Sequence, residues 1–131
     1  MALLAKSGVP SLSTQTPSHE HTIVGLSAGE DIAAGDACYI HSNGSIMRSI
    51  GTAVNAAAKV RGYAAIDAQS GEALTLYHGV NFAYGAGLTP GADYFLGGTA
   101  GRLDTAATTG GTAPIGFAID TTRIHLKQSN Y

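Results

Sequence analysis

The segment with the clearest potential for catalysis is residues 25–29, whose sequence GLSAG fits the G-x-S-x-G pattern of a nucleophile elbow. In such an elbow Ser27 would stand on a sharp turn between a strand and a helix, and a later acid and histidine would complete a triad. The segment that follows, residues 30–35 (EDIAAG), has no helical pattern and runs into another strand-like stretch. We therefore expect a turn between strands here. We also expect that the protein is not an enzyme and has no catalytic residue.

Histidines are the other residues that could carry chemistry, and the chain has five of them. His19 and His21 flank Glu20, and in an extended chain the two histidines would share a face. A structural zinc site needs four ligands, and the remaining histidines and the single Cys38 form no second cluster. The nine acidic residues stand mainly beside glycines or at strand ends, which is typical of turns. The sequence thus predicts neither a metal site nor a cofactor.

The composition excludes several classes of partner. Charged residues make up 12% of the chain, and the seven basic residues are scattered among nine acidic ones. Because there is no basic stripe, we expect no binding to nucleic acid. The glycine-rich segments 85–87 and 97–101 lack the spacing and the lysine of a phosphate-binding loop. A surface of small neutral side chains instead favours extended contact with other protein subunits.

Export and membrane insertion are not expected. The first residues, MALLAKS, have no basic group before a short apolar stretch, and no run of about 18 apolar residues exists in the chain. Cys38 is unpaired, which suits a reducing compartment. Residues 43–45 (NGS) fit the N-glycosylation pattern, but without export no sugar is expected on Asn43. The sequence predicts a soluble, unexported protein without contact to a membrane.

The elements that would position these residues are short strands. From His21 onward, apolar runs alternate with Gly, Asn, Asp and Pro at the spacing of an all-β sandwich or barrel. Residues 37–48 predict a hairpin, because Asn43 and Gly44 can take the positive φ angles of a tight turn. Residues 52–59 (TAVNAAAK) are shorter than the ~12 residues that an isolated helix needs. We expect a loop or one helical turn there.

An internal repeat divides this region into two units. Residues 34–40 (AGDACYI) resemble residues 90–96 (PGADYFL), and residues 62–64 (GYA) correspond to residues 116–118 (GFA). Each copy closes with a short alternating strand, LTL in the first and IHL in the second. Units of this kind must bury their apolar faces on each other. We predict an all-β, single-domain β-sandwich or small β-barrel of two similar halves over residues 21–131.

The first 20 residues differ from the rest of the chain. They contain two of the four prolines and many Ser and Thr residues, without a periodic apolar pattern. We therefore predict an extended N-terminal arm over residues 1–20, whose apolar side chains could dock on a partner. The candidate contact residues are Leu3, Leu4, Val9 and Leu12.

Two segments carry a resemblance to a known family. Residues 87–96 (GLTPGADYFL) with the later residues 115–119 (IGFAI), and residues 28–40 (AGEDIAAGDACYI) with residues 61–64 (RGYA), resemble the small decoration (cement) proteins of tailed-phage capsids. The resemblance spans roughly residues 25–126 and rests on turn and strand signatures. It implies a β-sandwich or barrel, often trimeric, bound at threefold or quasi-threefold positions of the capsid lattice. It also implies a terminal arm that reaches across neighbouring capsid subunits.

The function that this resemblance implies is mechanical. A decoration protein binds several capsid subunits at once, and this multivalent contact stabilises the shell against the pressure of the DNA inside. The expected partner is the major capsid protein, the expected state is a homotrimer, and the expected location is the exterior of a virion assembled in the host cytoplasm. The alternative is a receptor- or carbohydrate-binding module of a head fibre or tail. Its exposed aromatic platform would consist of Tyr63, Tyr77, Phe82 and Tyr84.

Overall fold

The computed structural model describes residues 3–6, 8–13 and 21–129, and this part of the chain is nearly all β. A three-residue 3-10 helix lies at Ala56–Ala58, inside the segment predicted as a loop or helical turn. Among the described residues, no helix has the length and apolar character needed to cross a membrane. The strands are β1 (Ser11–Leu12), β2 (Thr22–Ser27), β3 (Ala37–Ile40), β4 (Ile46–Arg48), β5 (Gly62–Ala64), β6 (Ala73–Tyr77), β7 (Val80–Ala83), β8 (Asp93–Leu96), β9 (Leu103–Asp104), β10 (Gly116–Ala118) and β11 (Arg123–Leu126).

These strands form two antiparallel sheets that pack as a sandwich, which confirms the predicted fold class. The first sheet has five strands in the order β2-β6-β5-β3-β4. The second has six strands in the order β1-β7-β11-β10-β8-β9. Apart from β1, the second order is the first one with each strand replaced by its counterpart five strands later.

The turns before β3 and β8 are also equivalent between the two halves, both in backbone conformation and in hydrogen bonding. Gly35 (φ 87°) and Gly91 (φ 86°) both adopt the left-handed conformation that glycine tolerates best. The Gly35 N–H donates to the carbonyl oxygen of Ala64, and the Gly91 N–H donates to that of Ala118, both at 2.7 Å. The predicted division into two similar halves is therefore confirmed.

The sequence comparison matched residues 74–76 (LTL) of the first half with residues 124–126 (IHL) of the second. In the structure the two closing strands correspond in a different register. Leu76 pairs with Ala64 in the first sheet, and Ile124 pairs with Ala118 in the second. Ile124 is thus the counterpart of Leu76, two residues beyond the predicted Leu74. A shift of two leaves every side chain on the same face, so the apolar alternation by itself could not reveal it.

Two apolar cores lie on opposite faces of the five-stranded sheet. Tyr63 on β5 is fully buried between the sheets, where its ring centroid lies 6.4 Å from that of Phe82 and its hydroxyl donates to the Lys127 carbonyl at 2.9 Å. The next residue, Ala64, lies on the opposite face of the sheet and packs in a second core. An isolated β-bridge joins Ile32 and Ala68, which both belong to this second core. The buried residues of this second core are Ala28, Ile32, Cys38, Ile46, Ala64, Ala68, Leu74 and Leu76.

The two halves also meet through backbone hydrogen bonds between glycine-rich loops. The Gly51 N–H donates to the Gly97 carbonyl, and the Gly110 N–H donates to the Gly51 carbonyl, both at 2.7 Å. A Cβ atom on Gly110 would overlap the carbonyl oxygen of Ala53. Because the main chains approach so closely, no larger residue fits there, which accounts for part of the high glycine content.

This contact predicts different outcomes for two Gly-to-Ala substitutions. Gly110→Ala should destabilise the protein by about 2 kcal/mol or more, because the new methyl group must displace backbone. Gly98→Ala is the matched control, since a Cβ there would meet only the Thr52 side chain at 3.6 Å. The control should stay within about 0.5 kcal/mol of the wild type in urea unfolding. Equal stabilities of the two variants would contradict the proposed close approach.

The hairpin predicted over residues 37–48 is present, with Ile40 opposite Ile46. Its turn differs from the expected one, because Gly44 has a positive φ (89°) and Asn43 does not. The His41 N–H donates to the Ser45 carbonyl, and the Gly44 N–H donates to the His41 carbonyl, both at 2.8 Å. This pattern is a three-residue loop with a left-handed glycine, in place of a two-residue Asn-Gly turn.

Candidate functional site

Ser27 does not stand on a nucleophile elbow. It is the last residue of β2, where it is exposed and pairs with Ala73. The chain continues into Ala28, which bridges Ile46 on β4, so an extended segment stands where an elbow requires a helix. Gly25 (φ 82°) lies within an irregularity of the β2–β6 pairing, as expected of a bulge on an edge strand. The predicted turn between strands is therefore wrong for residues 25–27, which belong to β2, and the chain bends only from Gly29 onward.

The potential metal ligands are dispersed over the described residues, and no three of His, Cys, Asp and Glu lie together there in a way that could hold an ion. His19 and Glu20 lie outside the described residues. Cys38 is fully buried in the second core, where its thiol donates to the Asp36 carbonyl at 3.4 Å. Burial raises the pKa of the Cys38 thiol far above its ordinary value, and this keeps the sulfur protonated and unreactive.

Two histidines meet where the chain passes from the first sheet to the second. The rings of His21 and His78 form an edge-on pair with centroids 5.9 Å apart, and His21 Nδ1 lies 3.1 Å from the His78 carbonyl oxygen. Burial lowers the pKa of His78, and the nearby His21 lowers it further. The pKa of His125 is also lowered, first by burial and then by Lys127 and His21. His125 Nδ1 contacts Asn81 Oδ1 at 2.8 Å.

These lowered pKa values predict a loss of stability in mild acid. The unfolded chain takes up protons on these two histidines at about pH 6.5, before the folded chain does. The free energy of unfolding should therefore be constant above that pH and fall as the pH drops through the lowered pKa values of His78 and His125. Urea unfolding between about pH 7.5 and 5.5 measures this slope. A His78→Gln/His125→Gln variant should flatten it, and an unchanged slope would contradict the assignment.

The four candidate contact residues of the N-terminal segment fall into two groups. Leu4 is buried in the main core, and its N–H donates to the Leu103 carbonyl at 2.9 Å. Leu12 is half-buried and packs against the same core. Leu3 and Val9 are exposed, at 39% and 73% of their full surface. Of the predicted contact residues, Val9 thus exposes most of its side chain and Leu3 a smaller part.

Polar contacts also attach this segment to the domain. Lys6 Nζ lies 3.4 Å from Asp36 Oδ1, an ion pair in which the carboxylate is almost completely buried. The Arg102 guanidinium donates to the Leu4 carbonyl at 2.9 Å. Leu3 bridges Asp104 on β9, while β1 pairs with β7 at the opposite edge of the six-stranded sheet. Residues 3–6 and 8–13 therefore span both edges of that sheet, whereas residues 14–20 lie outside the described residues.

Truncating Leu4 should test whether this segment belongs to the fold. Leu4→Ala should lower the free energy of unfolding by about 2 kcal/mol, because it leaves a cavity in the main core. Val9→Ala, at an exposed position of the same segment, should change it by less than about 0.5 kcal/mol. Urea unfolding of both variants makes the comparison. A Leu4→Ala protein as stable as the Val9→Ala control would show that the segment contributes nothing to the core.

The predicted aromatic platform is wrong. Tyr63 and Phe82 are fully buried and Tyr84 is 1% exposed, since all three side chains fill the space between the sheets. Tyr77 alone of the four is half-buried and borders a groove. Among the described residues, the most exposed ring of Phe or Tyr is that of Phe117, whose centroid lies 5.3 Å from that of His125 on the outer face of the six-stranded sheet.

Two surface grooves differ in the charge of the residues that line them. A groove of about 490 Å³ runs beside β2 and β6, and none of the described residues that line it is charged. Its lining residues are Gly25, Leu26, Ser27, Ala65, Ile66, Ala73, Leu74, Thr75 and Tyr77. The second, of about 630 Å³, is bordered by Arg48 and by three acidic residues. Each of these acids, Asp31, Asp67 and Glu72, accepts a hydrogen bond from a backbone N–H. These carboxylates stabilise turns, as the sequence predicted for the acidic residues.

Comparisons with known proteins assign the chain to no family. No model of a known protein family matches it, and no curated protein sequence matches it. The described surface therefore has to be interpreted from its own chemistry. It presents exposed large apolar side chains on several separate elements. These residues are Leu3, Val9, Val24, Ile40, Val54, Ile66 and Phe117.

Proposed function

We propose that this protein is a structural component of a virion, which binds the outer surface of a tailed-phage capsid and stabilises the lattice of the major capsid protein. The observation that carries the proposal is the distribution of exposed apolar side chains over several elements of a rigid β-sandwich. The resemblance of residues 28–40 and 87–96 to decoration proteins supports it, because these residues form the equivalent turns and strands of the two halves.

The low charge of the surface also supports this function. Only 12% of the residues are charged, and three ion pairs already engage Lys6, Arg48 and Arg123 among the described residues. Removing water from charged groups costs free energy, whereas small neutral side chains are desolvated at little cost. A surface of this kind can therefore bind a large neutral area of a protein lattice without strong ion pairing.

The mechanism follows from rigidity and multivalency. The sandwich and the attached residues 3–6 and 8–13 are ordered by their own contacts, so little conformational entropy remains to be lost on binding. We infer a homotrimer, in which three copies bind equivalent capsid subunits around a threefold position. Once one copy is bound, the others bind at a high effective concentration. Dissociation of a capsid subunit then requires that several contacts break together.

Within this proposal, Leu3 and Val9 make direct contact with the capsid. Leu4 and Leu12 act indirectly, because their burial holds the segment in place on the six-stranded sheet. Deletion of residues 1–20 would therefore remove core contacts together with the proposed capsid contacts. Substitution of single exposed residues separates the two effects.

Co-sedimentation with capsids that lack a decoration protein tests the proposal. The wild type should saturate the capsids at a fixed stoichiometry, and light scattering should give the mass of a trimer. Val9→Asp should weaken binding about tenfold or more, because it replaces a buried apolar contact by a desolvated charge. Val54→Asp is the matched control, since Val54 is equally apolar and 80% exposed but lies in the loop before the 3-10 helix.

Three outcomes would contradict the proposal or part of it. A monomer that does not sediment with capsids would overturn the capsid function and favour a receptor- or carbohydrate-binding module. Equal loss of binding in the Val9 and Val54 variants would show that added charge, and not the N-terminal segment, weakens the contact. Unchanged binding of Val9→Asp would place the contact on another face of the sandwich.

A further inference from the structure

The tip of the β3–β4 hairpin carries an Asn-Gly pair in a setting that favours a covalent change. Asn43 and Gly44 are both exposed, and nothing lies within 4 Å of the position that a Cβ atom of Gly44 would occupy. We propose that Asn43 is a site of spontaneous deamidation, where the protein slowly acquires aspartate and isoaspartate. This property is independent of the proposed function.

The reaction needs only water as a co-reactant. The backbone nitrogen of Gly44 attacks Cγ of Asn43, so an N–C bond forms and the nitrogen gives its proton to solvent. The Nδ2 nitrogen takes up a proton from solvent, the bond from Cγ to Nδ2 breaks, and ammonia leaves. Water then opens the five-membered succinimide at either carbonyl, which yields aspartate or isoaspartate. Glycine permits this attack because no Cβ atom shields its nitrogen.

Ser45 is placed to assist the first step. The Asn43 side-chain oxygen, Oδ1, accepts a hydrogen bond from the Ser45 N–H at 3.0 Å and another from the Ser45 hydroxyl at 2.7 Å. Negative charge develops on this oxygen when the nitrogen attacks Cγ. Two donors that already point at it stabilise that charge, as an oxyanion hole does.

The hairpin restrains the reaction through its other hydrogen bonds. The Gly44 N–H donates to the His41 carbonyl at 2.8 Å, and the Asn43 N–H donates to His41 Nδ1 at 3.2 Å. The bond at Gly44 must break before its nitrogen can attack. Deamidation therefore proceeds from a frayed hairpin tip and is slower in the folded protein than in the unfolded chain.

Two other asparagines serve as internal comparisons. Asn55 is also exposed, but Ala56 follows it and its Oδ1 accepts a hydrogen bond from the Ala57 N–H. Asn81 lies within β7 and precedes the fully buried Phe82. In both cases the following residue carries a Cβ atom, which hinders the attack. The structure thus singles out Asn43 among these three.

The experiment is prolonged incubation of the folded protein at neutral to mildly alkaline pH, followed by tryptic digestion and mass spectrometry. The peptide of residues 7–48 should gain the mass of an amide-to-carboxylate change, and isoaspartate should be detected at position 43 before any change at Asn55. Asn43→Gln, whose longer side chain would have to form a six-membered ring, should leave this peptide unchanged. Deamidation of Asn43 at the same rate as Asn55, or more slowly, would overturn the proposal.

A second variant tests the role of Ser45. In the folded state, Ser45→Ala should deamidate about 2- to 10-fold more slowly than the wild type, as loss of one hydrogen bond predicts. In denaturing urea the two proteins should react at the same rate, and faster than when folded. Equal rates of the two folded proteins would refute the assistance by Ser45, and equal rates in folded and unfolded wild type would refute the restraint by the hairpin.

Discussion

The close approach of the two halves through their main chains is the constraint on which the rest of the structure depends. Gly51, Gly97 and Gly110 allow loops from both halves to share hydrogen bonds where a single methyl group would not fit. This contact positions the two sheets so that Tyr63 of one packs beside Phe82 of the other. Backbone hydrogen bonds in a buried setting must be satisfied, so the glycine loops and the aromatic core stabilise each other.

The N-terminal segment shows how a short stretch without periodicity can belong to a core. Leu4 enters the main core, and Lys6 forms an ion pair with the buried Asp36. A carboxylate that is removed from water has to be paired, so this contact links the start of the chain to the turn before β3. The exposed Val9 lies between these anchored residues and β1. A partner that binds Val9 would therefore meet a surface that is already ordered.

The side chains that sequence patterns suggested as catalytic or metal-binding candidates occupy ordinary structural positions in the described part of the chain. Ser27 ends an edge strand, Cys38 is buried as a thiol, and the carboxylates of Asp31 and Asp67 accept hydrogen bonds from turns. The thiol thus helps to fill a core and the two carboxylates satisfy backbone N–H groups, whereas the Ser27 side chain is exposed at the end of its strand. The described surface also presents exposed apolar side chains, and the proposed capsid function uses them as contact area.

The amino-acid sequence by itself determined the β class, the two similar halves and the hairpin around Gly44, because alternation, glycine spacing and repetition are local properties of the chain. It could not place the closing strand of the second half, since a shift of two residues preserves the apolar alternation. It also could not show that Tyr63, Phe82 and Tyr84 are buried or that Leu4 belongs to the core. Which face of a strand meets another sheet depends on how distant segments pack, and only the tertiary structure decides that.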